Sequence, residues 1–314
     1  MISFRYHLVT IVAVFLALAL GVLAGTTVIR TGLVKTLRQN NNNLEQQLAA
    51  AQKQVDDVAG FQDAALPWLT TGRLTGEHVV VISSDGADPA GPRNARDVLT
   101  AAGARTAAGA SNVVYLTITS LINAPTPKTR NTLADALGES RDTPVSTLTS
   151  DAATRLAERL ADGPPPASST GTAGASPDLL VVLLNDGFIR SQDVTPTDAS
   201  AVGGSSELFV VSAGGQGEPT VPIDTVMERL VVQMVQRGET VAAVQTAGSV
   251  AHPFVTPIRQ EADLPNEHLL TVDDVDTEVG KAALVLGFSR MLGGGSGGDY
   301  GTGDDAQRLL PEVP

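Results

Sequence analysis

The side chains able to do chemistry are few and widely spaced in this chain. It contains no cysteine, which removes disulfides, thiolate metal sites and thiol nucleophiles. Its histidines are His7, His78, His252 and His268, and no pair has the spacing that lets one helix present two metal ligands. No serine, histidine and carboxylate set suggests nucleophilic catalysis, so an enzyme is not expected. The densest charged group is Asp273, Asp274, Asp276 and Glu278. Converging carboxylates hold hard cations, but the same residues also suit the start of a helix, where Asp276 or Thr277 would cap and Glu278 would face the dipole. Met227 and Met234 stand seven residues apart on one expected helix face. Their thioethers suit copper(I), and they suit a packed core equally well.

Phosphate-binding loops are not matched. Gly86 and Gly91 have the spacing of a P-loop, yet Pro92 and Arg93 stand where Lys and Ser or Thr are required. Gly214-Gly215-Gln216-Gly217 runs into Glu218-Pro219 rather than a helix, so no helix N-terminus meets a pyrophosphate. No cofactor is expected.

The hydrophobic pattern predicts alternating strands and helices. Strands are expected at His78–Ser84, 112–119, Glu207–Ser212, 240–245 and 268–272. Helices are expected at 92–102, 126–137, 150–160, 222–237 and 277–291. Leu179–Asn185 fits either type. This alternation predicts an α/β fold with parallel sheet, arranged as a first lobe over 74–162 and a second over 177–292. The run Gly163 to Ser176 is too poor in apolar residues to pack and reads as a flexible linker, and the glycine-rich tail 293–314 reads as mobile.

Ahead of the lobes lies a 22-residue uncharged stretch, Leu8 to Ile29, whose apolar face includes Ile11, Phe15, Leu18 and Val22. A helix needs roughly 20 residues to cross about 30 Å of hydrocarbon, so residues 1–30 read as a transmembrane anchor. A signal peptide cleaved after Val22-Leu23-Ala24 is the competing reading. Over 31–62 a heptad pattern follows, with Val34, Asn41, Leu48 and Val55 at position a and Leu37, Leu44, Ala51 and Val58 at position d. Such a seam asks for a partner, and Asn41 at an a position favours two parallel strands. A homodimeric or higher coiled-coil stalk is expected, against a single helix folded back on its own domain. Pro67 and Gly72 read as a hinge after it.

Net charge is −13 for the whole chain, made of +2 over residues 1–60 and −15 beyond. An acidic body repels phosphate backbones and attracts cations, so nucleic acid is excluded as an expected partner. Basic residues flank the apolar stretch on both sides, and charge bias does not orient it.

The start MISFRYH running into TIVAVFLALALGVLAG, the coiled-coil stretch, the segment LLTVDDVDTEVGKAALVLGF and the terminal Asp299-Tyr300-Gly301-Thr302-Gly303 together resemble the mycobacterial copper transporter B (MctB) family of actinobacterial envelope proteins. The resemblance implies a membrane-anchored protein of the cell envelope, its bulk outside the cytoplasm, associated with copper efflux and resistance and with a pore. One spanning helix and no barrel pattern mean that a pore would need several copies of that helix. A structural or adaptor protein without transport activity is the alternative.

Overall fold

The computed structural model describes residues 4–104, 113–165, 177–204, 207–261 and 263–312. The chain divides into two units, Met1–Phe61 and Gln62–Pro314.

In the first unit the backbone is helical from Phe4, within helix α1 (Phe4–Thr70). Its segment Phe4–Gly25 is long and apolar enough to cross a membrane, and none of it is buried. Leu8, Ile11, Phe15, Leu18 and Val22 are all exposed there, while the side chain of Ile29 lies outside the described residues. The seam residues Leu37, Leu44, Leu48, Ala51, Val55 and Val58 are exposed too, and Asn41 donates to Glu45 one turn on at 2.7 Å. The side chain of Val34 again lies outside the description. In the second unit the hinge expected at Pro67 is absent. The helix continues through Pro67 to Thr70, and the break comes at Gly72 with φ of +75°.

The second unit is built on one seven-stranded sheet. Its strands are β1 (His78–Ser84), β2 (Val114–Ile118), β3 (Ile189–Ser191), β4 (Glu207–Ser212), β5 (Thr240–Val244), β6 (Leu269–Val272) and β7 (Gly298–Tyr300), ordered β3-β2-β1-β4-β5-β6-β7. All pairings are parallel except β2 with β3. The fold is therefore α/β, as the alternation of elements predicts. The expected division into two lobes is corrected by pairing. β1 bonds directly to β4, with Val80 opposite Phe209 and Ile82 opposite Val211, so strands assigned to 74–162 and 177–292 share one sheet. Of the expected linker, residues 166–176 lie outside the described residues.

Alternate residues of β1 feed two cores because a strand's side chains point to opposite faces. Val80 and Ile82 pack with α3 (Pro127–Leu137), α4 (Val145–Asp162), α5 (Leu179–Asn185) and α6 (Arg229–Gln236). Val79 and Val81 pack with α2 (Ala90–Ala101) and α8 (Glu278–Leu292) on the other face. The short α7 (Val255–Gln260) follows β5. Leu179–Asn185, ambiguous by pattern, is helical because the Asp178 carboxylate accepts from the Leu180 amide and caps it. The helix expected over 222–237 opens as a π-helical turn at Ile223–Glu228 before α6.

The tail is also corrected. Instead of a mobile segment, Gly298–Tyr300 forms the edge strand, with the Tyr300 side chain buried against α8. Glycine permits this approach, since a Cβ on Gly297 would lie 1.8 Å from the Leu269 carbonyl oxygen.

Candidate functional site

In open α/β sheets ligands gather at the carboxyl ends of the strands where the strand order reverses. Here that place lies between β1 and β4, and the chain's own loops fill it. The Asp88 amide donates to the Gly214 carbonyl at 3.0 Å, and the Thr220 hydroxyl donates to the Asp85 carbonyl at 2.5 Å. A Cβ on Gly86 would meet Thr220 Oγ1 at 2.9 Å, so the β1 turn is covered. The start of α2 is occupied as well: the Asp88 carboxylate accepts from the Ala90 amide at 2.9 Å and from the Thr246 hydroxyl at 3.0 Å. A phosphate is denied the helix N-terminus that would hold it.

An open cleft of about 740 Å³ lies one strand over, between the ends of β1 and β2, the first turns of α2, and β3. Its lining includes Arg93, Arg96 and Arg190, one carboxylate, Asp85, and the hydroxyls of Ser83, Tyr115 and Thr117. Ser83 and Tyr115 share a hydrogen bond of 2.8 Å. Arg93 and Arg96 are three apart on α2 and so project from one face. Arg190 stands opposite Thr117 in the antiparallel pair. Arg96 is paired with Asp193 at 2.8 Å, and Asp193 also accepts from the Tyr115 amide at 3.1 Å. Arg190 is paired with Asp85. Pattern reading misses this cleft, because the arginines come from segments almost a hundred residues apart and β3 is too short to announce itself.

A second polar centre joins the two carboxyl-terminal segments. The Arg259 side chain is only 3% exposed. It donates to Asp273 and to Asp305, each at 2.7 Å, to the Thr271 hydroxyl at 2.8 Å and to the Tyr300 carbonyl at 2.8 Å. Asp273 further accepts from the Thr302 amide at 2.9 Å and from the Gly303 amide. Asp299 accepts from Thr271 and Gln307, both at 2.9 Å.

The acidic group, which suits either a cation or the start of a helix, finds separate partners in the structure. Asp273 faces Arg259, and Asp276 accepts from the Ala247 amide at 2.7 Å. Asp274 is fully buried with one carboxyl oxygen unpartnered among the described residues, and burial, then the nearby Asp273 charge, raises its pKa. Of the expected caps, Thr277 fills the role, accepting from the Gly280 amide at 3.0 Å. Met227 and Met234 are fully buried in the apolar core. No cluster of three or more His, Asp or Glu suited to a metal occurs among the described residues. Of the histidines, His78 opens β1, and His252 lies 3.9 Å from Glu218.

Glu207, at the start of β4, is a strongly perturbed acid. Burial pushes its pKa up to about 7, against the Gly203 amide at 2.8 Å and the Arg159 charge, which favour ionisation, while Glu239 opposes it. Arg159 is itself held by Asp178 at 2.6 Å. The folded-state value lies above the ordinary 4.5, so folding favours the neutral acid. Stability is then full below the unfolded pKa and falls as pH rises through about 7. Glu207→Gln, neutral at every pH, should raise Tm by several degrees at about pH 8 and change it little at about pH 4. Thermal melts of the detergent-solubilised chain check this, and an equal shift at both pH values would contradict it.

Known proteins similar to this chain match it over almost its whole length. It is similar to the copper transporter MctB of Mycobacterium tuberculosis (strain ATCC 25618 / H37Rv), at 28% identity over 321 residues covering 98% of this chain and 99% of that protein. It is also similar to the copper transporter MctB of Mycobacterium leprae (strain TN), at 26% identity over 322 residues with the same coverage. The family described as copper transport outer membrane protein, MctB, matches residues 1–311, spanning the apolar helix, the sheet and the Arg259 centre, and the chain belongs to that family.

Proposed function

We propose that this chain is a membrane-anchored protein of the cell envelope that acts in copper efflux and copper resistance, without enzymatic activity. The observation that carries the reading is the family match over residues 1–311, which takes in the membrane-length helix together with the globular unit. Copper is cargo in this reading, not a resident ion. The bulk of the chain lies outside the cytoplasm, held by a single pass.

The exposed seam of Leu37, Leu44, Leu48, Val55 and Val58 supports self-association, because an apolar stripe left in water gains by pairing with its own kind. Asn41 within that seam favours two strands in register. Backbone in lipid must satisfy its own hydrogen bonds, so any conducting path is built by several copies of the apolar helix.

Cells lacking the gene should accumulate copper and become copper-sensitive, and the wild-type chain should restore both. A Val14→Arg, Leu18→Arg variant should leave the membrane fraction and fail to restore them, since each central arginine costs about 2.5–3.5 kcal/mol on insertion scales. Unchanged copper tolerance on deletion would favour the adaptor role. Purified chain should give conductance in planar bilayers, and reproducible insertion without current would remove the pore.

A further inference from the structure

We propose that the cleft between β1, β2, α2 and β3 binds a small organic anion, a phosphate or carboxylate head on a partly apolar body. Nothing in the copper reading requires such a site.

The argument begins with charge. The chain carries a net −13, yet the cleft gathers three guanidiniums against two carboxylates, Asp85 in its lining and Asp193 behind Arg96. A local excess of cations in an acidic protein runs against the average field and concentrates anions where it occurs. The guanidiniums are also positioned differently. Arg96 is tied by Asp193 and Arg190 by Asp85, which holds both planar forks in place. Arg93 is exposed and makes no ion pair or hydrogen bond among the described residues. It is the donor left for an incoming oxyanion.

Shape and floor fit the same ligand. A volume of about 740 Å³ falls in the range of small-molecule sites. Ser83, Tyr115 and Thr117 supply hydroxyls, and Pro89, Leu184 and Pro196 supply an apolar wall that is open to solvent. An inorganic ion would leave that wall wet. A body such as an aromatic ring would cover it, so the ligand has two parts.

Closure of the crevice between β1 and β4 explains why the site stands one strand over. With the start of α2 capped by Asp88, the helix offers its arginine face instead of its amides.

The test is titration calorimetry on the detergent-solubilised full chain, with phenyl phosphate, benzoate, inorganic phosphate and neutral phenol as probes. Phenyl phosphate, benzoate or both should bind saturably, more tightly than inorganic phosphate, and phenol should not bind. Arg93→Glu should weaken binding at least about tenfold, since it replaces a charge-assisted donor with a like charge. The variant should keep the wild-type Tm, and Lys128→Glu, the same charge change on an exposed face of α3, should bind as wild type. The two aromatic anions separate a phosphate from a carboxylate preference. Saturation by neither anion, equal binding of phenol, or equal weakening by Arg93→Glu and Lys128→Glu would overturn the proposal.

Discussion

Arg259→Met should lower the stability of the globular unit by about 3–5 kcal/mol, the cost of removing one partner from a buried ion pair. Asp273 is 8% exposed in its side chain and would keep its amide donors from Thr302 and Gly303 while losing its countercharge. The neighbouring Asp274, already driven toward its neutral form by burial and by Asp273, would feel that unbalanced charge more strongly. Loss should spread to β7, because the Arg259 guanidinium also donates to the Tyr300 carbonyl. A melt should show Tm lower by roughly 10 °C, and proteolysis should cut first near Gly293 to Gly297. Adding Asp273→Asn should recover part of the loss, since it removes the stranded charge. A Tm within about two degrees of wild type would show that the ion pair holds nothing.

Gly280→Ala should also destabilise, against the expectation for a helix. Alanine is better than glycine in a helix interior by about 1 kcal/mol. Here the third residue of α8 passes so close to the preceding turn that a Cβ would lie 2.1 Å from the Asp274 carbonyl oxygen and 2.6 Å from its carboxyl. Backbone cannot yield as a side-chain tip does, so the helix start must shift and the Thr277 cap with it. Overpacking of this kind costs about 1–3 kcal/mol or more, which exceeds the propensity gain. Gly287, seven residues on, faces Leu270 of β6 at 2.6 Å from a built Cβ, and there the flexible leucine can move. Gly287→Ala should therefore cost less than Gly280→Ala in denaturant titrations. The reverse order would mean that the β6 contact, not the Asp274 turn, sets the seat of α8.

Both variants bear on function. Two of the segments on which the family resemblance rests, around Asp273 and around Tyr300, meet at Arg259. Copper handling in the family does not by itself make those carboxylates ligands. The stability losses expected of these variants would separate the scaffold from whatever surface meets the ion.

Local signals in the amino-acid order were enough for the apolar span, for strands β1, β2, β4, β5 and β6, and for a cap at Asp276 or Thr277, because hydrophobic period and capping chemistry act within a few residues. Composition likewise determined the acidic body and the absence of thiol chemistry. Only the tertiary structure decided that one sheet replaces two lobes, since β1 chooses β4 across more than a hundred residues by buried pairing that no local period records. It also decided that a glycine-rich tail becomes an edge strand: glycines that look like slack in a linear reading are there to let Gly297 pass the Leu269 carbonyl. The same holds for Arg259, Glu207 and the three arginines of the cleft. An ionisable residue takes its role from the burial and charges around it, and these come from segments far apart along the chain.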